Sequence, residues 1–232
     1  MSTIEQLQFF AGGQWRDSRT TKHMDVYDPS TGAVIAHTPY CTEDEVTLAI
    51  RSAAEAFPAW SNTPALKRAE VLFKFRSLLD RHLDELTHMV CREHGKVWEE
   101  AQGDVLKARE ATGFACGIPS LMAGESLMNA SSGFDTVLYR EPVGVFAGIA
   151  PLNFPAMIPM GWILPLCIAT GNTLVLKPSN VTPMTSMRCV KLLQEAGLPD
   201  GVVNVVTCDA PEAEILLKHP DVKGVTFVGS AP

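Results

Sequence analysis

Residues 141–183 read EPVGVFAGIAPLNFPAMIPMGWILPLCIATGNTLVLKPSNVTP, and the alternation inside them decides the fold. VGVFAGIA (143–150) is a short apolar run between two prolines, the pattern of a strand buried on both faces. A helix is predicted within 156–170, Gly171-Asn172 interrupts it, and TLVLK (173–177) is a second strand. The same alternation continues downstream: a helix from about 183 to 196, VVNVV (202–206) as a strand, a helix over 211–218 and VTFVG (225–229) as a strand. Strand and helix repeated in this way, with apolar strands, indicate an α/β chain with a parallel sheet covered on both faces. Pro142 to Leu176 carries no charge and is long enough to cross a bilayer. Pro151, Pro155, Pro159 and Pro165 would each leave backbone groups unpaired in lipid, so turn-broken buried elements are expected and a membrane span is not.

Upstream, LQFFAGGQWRD (7–17) alternates around Gly12-Gly13, the signal of a two-residue hairpin at the surface. After DPSTG (28–32) the pattern turns helical, with Thr42 and Glu45 spaced as a capping box. From Pro64 to about Phe114, Leu66, Ala69, Leu72, Phe73, Leu79, Leu83, Leu86 and Val90 recur at helical steps amid dense charge, predicting amphipathic helices packed on a core. GESLMNASSGFDTVLYREP (124–142) is polar and then alternates, as a ribbon between two compact parts would.

The composition narrows the function classes. A net charge of −7, with no cluster of basic residues interleaved with aromatics, argues against nucleic acid as a partner. The opening MSTIEQLQFF lacks the features of a secretory signal, and a cytoplasmic location is expected. The six cysteines are at least 19 residues apart, so neither a metal knuckle nor a redox pair is predicted, and Cys167 and Cys189 read as core thiols. His82, His88 and His94 recur at six-residue steps, which places them on different helix faces; no metal site is expected.

Open parallel sheets bind ligands at the carboxyl ends of their strands. Three such ends carry polar residues. Asn153 follows the first strand; its amide could donate to an oxyanion or cap the next helix, and spacing alone favours the cap. Lys177, with Ser179 and Asn180 beside it, could reach a ribose hydroxyl or a phosphate, or could be a solvated loop lysine. Gly229-Ser230 could offer N–H groups to a pyrophosphate, given a following helix. There is no GxGxxG.

In order, EPVGVFAGIAPLNFPAMIP, GNTLVLKPS, EAGLPDGVVNVV and HPDVKGVTFVGS, with the earlier FFAGGQW, DPSTG, AFPAW and REHGK, resemble the N-terminal half of aldehyde dehydrogenases. Within that superfamily NFPAMIP, SLMAGESL and FVGSAP are most similar to the CoA-acylating methylmalonate-semialdehyde dehydrogenase family. The resemblance implies N-terminal helices plus an incomplete doubly wound NAD-binding domain, with the catalytic domain absent. It divides the chain into 1–125 (hairpin and helices), 126–143 (bridging and oligomerisation ribbon) and 144–232 (Rossmann-like, truncated). It implies an NAD-dependent oxidoreductase that converts malonate or methylmalonate semialdehyde to acetyl-CoA or propionyl-CoA with loss of carbon dioxide, using CoA as co-substrate and assembling as a homo-oligomer. By the same resemblance Asn153 is the oxyanion donor, and NAD lies against Ala150, Leu152, Lys177, Asn180, Val181 and Ser230.

Four departures from the family pattern shape these expectations. Asn180 stands where the family carries Glu, which leaves NADP open beside NAD. Met160-Gly161 lengthens the stretch after Asn153 by one residue, for which a local bulge is the expected accommodation. Lys107 stands where the branch has an anion-binding Arg, and Arg109 is a candidate substitute. The family's nucleophilic cysteine falls beyond position 232, so the isolated chain is expected to be inactive. The alternatives are a non-catalytic remnant that at most binds a nucleotide, or another aldehyde dehydrogenase.

Overall fold

A computed structural model of the protein describes residues 4–230. Its N-terminal part runs β1 (Glu5–Gln6), β2 (Phe9–Ala11), β3 (Gln14–Arg16), β4 (His23–Asp28), β5 (Ala33–Pro39), α1 (Glu43–Ser61), α2 (Ala65–Arg81), α3 (Leu83–His94), α4 (Trp98–Ala115) and α5 (Ile118–Leu121). Next come β6 (Glu125–Ser131), β7 (Phe134–Leu138), β8 (Val145–Ile149), a π-helical segment (Ile158–Ile163) leading into α6 (Leu164–Ala169), and β9 (Thr173–Lys177). The chain continues through α7 (Met184–Glu195), β10 (Val203–Val205), α8 (Ala210–Lys218) and β11 (Val222–Phe227).

The central sheet has the order β11-β8-β9-β10-β2-β3, and its first four strands are parallel. Side chains alternate across it as a pleat requires. Leu174 and Leu176 point into the core shared with α2, α4, α6 and α7, whereas Val175 points to the other face, where α1 and α8 pack. Helices on both faces of a parallel sheet make this a doubly wound α/β fold. No helix among the described residues is long and apolar enough to cross a membrane.

The Gly12-Gly13 turn has φ of 60° and 80°, the positive pair that a tight right-twisted hairpin needs. β3 stays at the surface as the edge of the sheet, but β2 is not the surface strand expected from the pattern. β2 adds antiparallel to β10, burying Phe9, Phe10 and Ala11, while Gly12 N donates to Asn204 Oδ1 at 3.0 Å. The extra apolar face gained by extending the sheet outweighs a solvated hairpin. Thr42 N donates to Glu45 Oε2 at 2.8 Å at the start of α1, the predicted cap. β6 and β7 form an exposed antiparallel ribbon.

Two of the apolar positions assigned to the core of the helical region are in fact exposed: Leu66 and Phe73, at 69% and 57%. They lie seven residues apart on one stripe of α2, about 80° round from the stripe of Ala69 and Leu72, which are buried. A π-helical turn falls at Met160-Gly161, where Leu164 N donates to Pro159 O, five residues back. Pro165 has no N–H for Gly161 O and would crowd that carbonyl in a regular helix, so the wider turn falls where α-helical bonding is already broken.

Two buried carboxylates hold the ends of helices on this face. Glu93 of α3 accepts the N–H groups of Met184 and Thr185, at 2.7 and 2.9 Å, at the start of α7. Burial nevertheless pushes its carboxyl up from 4.5 to about 7. The folded chain therefore holds this proton more tightly than the unfolded chain. The associated stability is complete below pH 4.5 and is lost as the pH rises to about 7. Urea unfolding across that range is expected to show the wild type losing a few kcal/mol relative to Glu93→Gln. Parallel pH curves for the two proteins would refute it.

Candidate active site

The parallel register places Ile149 opposite Lys177 on one side and opposite Phe227 on the other, so the carboxyl ends of β8, β9 and β11 finish level. The pairing runs one residue further: Ala150 N donates to Lys177 O at 3.0 Å and Val228 N to Ile149 O at 3.1 Å. Above these ends lies an open cleft of about 700 Å³. Ala150, Leu152, Asn153, Lys177, Asn180, Val181 and Ser230 all line it, together with Met24 and Phe227. The first seven are the residues proposed from the sequence. Met24 reaches the cleft from β4, more than a hundred residues away in the chain, and only the tertiary fold could have revealed it.

Asn153 is exposed, and the helix-capping role that spacing favoured is filled by another residue. Asp104 of α4 accepts Met157 N at 2.7 Å in its place. Lys96 then lies 3.4 Å from Asp104 and 3.9 Å from the centre of the Phe154 ring. The residue after Asn153 is thus held by a cation–π contact and a buried ion pair, while the Asn153 amide is left free toward the cleft. Thr182 Oγ1 donates to Leu152 O at 3.1 Å and ties this loop to the one after β9.

The β9 loop carries unused hydrogen-bonding capacity. Lys177 is half-buried, its ammonium reaches only Pro178 O at 3.4 Å, and desolvation pulls its pKa down. Asn180 Nδ2 donates to Cys208 O at 2.8 Å, yet its Oδ1 is buried without a partner. One cationic donor and one orphaned acceptor, side by side at a strand end, suit a hydroxyl-bearing ligand that both accepts and donates. Leu152 and Val181 add exposed apolar surface to the walls.

Lys107 and Arg109 do not line this cleft. Lys107 Nζ pairs with Glu110 at 2.7 Å and Arg109 Nη1 with Asp80 at 2.8 Å, so both cations meet carboxylates of the chain itself. His82 hydrogen-bonds Glu85, His88 meets the Trp98 ring edge to face, and the ring nitrogens of His94 are buried without a hydrogen-bond partner. All six thiols are pushed up: Cys41 and Cys167 to about 12, Cys208 to about 11, and Cys91, Cys116 and Cys189 upward by burial too. None is a thiolate near neutral pH, the form a nucleophile needs.

Residues 15–232 match the model of the aldehyde dehydrogenase family. The chain is 46% identical over 229 residues to a malonate-semialdehyde dehydrogenase of Geobacillus thermodenitrificans, covering 99% of this chain and 47% of that protein. A Sinorhizobium meliloti structure assigned as methylmalonate-semialdehyde dehydrogenase and complexed with NAD superposes with a TM-score of 0.95 at 39% identity, over 99% of this chain and 47% of that one. The methylmalonate-semialdehyde dehydrogenase of Oceanimonas doudoroffii gives 0.92 at 40% identity, over 96% and 45%. The chain thus spans about half the length of the relatives it matches.

A half-buried ammonium with one long contact costs the fold stability. Lys177→Met is therefore expected to raise the melting midpoint or leave it unchanged. A clear fall in the midpoint would mean that Lys177 serves the fold instead.

Proposed function

Because the chain belongs to the aldehyde dehydrogenase family, we propose that it is the cofactor-holding part of an NAD-dependent, CoA-acylating oxidoreductase. Its substrates are malonate and methylmalonate semialdehyde, and its products are acetyl-CoA and propionyl-CoA with carbon dioxide. The names of its relatives and the cleft chemistry support this reading, and the single observation that carries it is the open pair at Lys177 and Asn180.

Bound NAD supplies a hydride acceptor. The chain's own residues supply position and polarity. The Lys177 ammonium donates to a ribose hydroxyl, and Asn180 Oδ1 accepts from one. Ala150, Leu152 and Val181 give the nicotinamide nucleotide an apolar floor, and the backbone at Gly229 and Ser230 faces its pyrophosphate. Asn153 donates its amide N–H to the substrate's carbonyl oxygen as negative charge builds there, with no reorganisation because its loop is already clamped through Phe154. The thiol nucleophile and the CoA site belong to the part of the family fold that follows this region. The exposed ribbon of β6 and β7, with Leu127, Phe134 and Val137 in water, is the surface on which copies of the chain would pair.

The whole protein purified from its native source, given malonate semialdehyde, CoA and NAD, tests the reading. NADH formation that requires CoA supports it; NADH without CoA would assign a simple aldehyde dehydrogenase. NAD-induced thermal stabilisation with no NADH would leave a nucleotide-binding chain alone. Where turnover is measured, Asn153→Ala is expected to lower kcat by about 10²–10³-fold with NAD binding intact. Asn180 bears no charge, so NADP is expected to bind too, and Asn180→Glu to weaken NADP against NAD by at least about tenfold. Equal affinities in that variant would remove Asn180 from the ribose site.

A further inference from the structure

The β4–β5 pair carries a cluster that the cleft chemistry does not use. β4 and β5 are antiparallel, with Asp25 directly opposite His37. His23 precedes Asp25 by two residues, so it projects from the same face. His37 Nδ1 stands 2.7 Å from Asp25 Oδ1, and His23 Nε2 stands 3.7 Å from the same oxygen. The two imidazole rings meet edge to face with centres 4.6 Å apart. One ligand atom from each of the three residues lies within 4.8 Å of the others, the one such convergence among the described residues.

We propose that His23, Asp25 and His37 bind a divalent transition-metal ion of the zinc class. Two imidazoles and one carboxylate are the ligand set that borderline ions prefer, and three protein ligands leave a fourth position for water. Zinc–ligand bonds of about 2.0–2.1 Å set tetrahedral donor separations near 3.4 Å. The pairs at 2.7 and 3.7 Å bracket that value, so side-chain rotation alone opens the site. Side-chain exposures of 52%, 35% and 22% for His23, Asp25 and His37 place it at the surface, with an entry path. His23 and His37 also border a hollow of about 410 Å³ that gives room for the water ligand. Tyr27, two residues further along the same face, donates its hydroxyl to Asp25 Oδ2 at 3.3 Å, which orients the carboxylate from behind.

The opposite face of β4 faces inward: Val26 is fully buried and Met24 lines the cleft. An ion joining β4 to β5 therefore braces the strand that forms one wall of that cleft. The site stands on its own geometry and is independent of the proposed reaction.

Cobalt(II) and zinc titrations of the purified protein, read by visible absorption and by competition with a chromophoric chelator, test the proposal. The expected result is one equivalent bound, with cobalt d–d bands and no thiolate charge-transfer band, and a raised melting midpoint in zinc. Loss of an outer partner already weakens metal sites by about 10–100-fold, so His23→Gln and His37→Gln, checked for folding by circular dichroism, should each weaken binding at least about a hundredfold. Absence of stoichiometric binding, a thiolate band, or unchanged affinity in both variants would overturn the assignment and leave Asp25 as a plain ion-pair partner of His37.

Discussion

The level ending of β8, β9 and β11 is the constraint on which the rest depends. β8 and β9, buried between helix layers, carry no charged side chain before Lys177, so the charged and amide groups at this end of the sheet collect where the strands stop. Asn153, Lys177, Asn180 and Ser230 are brought within one cleft by nothing more than the register that pairs Ile149 with Lys177 and with Phe227. A one-residue slip of β9 would turn Lys177 to the other face and take its ammonium out of the cleft.

The second support comes from buried charge. Glu93 and Asp104 each take up backbone N–H groups that start a helix, and Lys96 joins Asp104 to the Phe154 ring. These contacts run from α3 and α4 to the loop after β8 and to α7. They hold still the two segments that flank the cleft. The π-helical segment lies between them, its Gly161 close enough to α4 that a Cβ there would meet Ala108 Cα at 3.0 Å.

Much of this was legible in the residues themselves. Strand and helix alternation from 143 onward, the Gly12-Gly13 turn and the Thr42–Glu45 cap all follow from local chemistry, and each is found in the fold. The ordered motifs resemble the aldehyde dehydrogenase family, and residues 15–232 match it. Other features depended on distance in the chain. Asn153 had the spacing of a helix cap, but Asp104, from a helix some fifty residues earlier, takes that role. Leu66 and Phe73 fit a helical apolar pattern, but α2 turns a neighbouring stripe inward. The hairpin strands were short enough to suit the surface, yet they complete the sheet beside β10.

The sequence by itself determined the α/β class, the positions of β8, β9 and β10 and the identity of the polar residues at the strand ends, because these rest on side-chain polarity and on turns within a few residues. Tertiary structure alone decided which of those ends share a cleft, that Met24 joins them, and that His37 lies against Asp25 and His23. Those outcomes depend on strand order and register, which are set by packing between segments far apart in the chain and leave no mark on any local pattern.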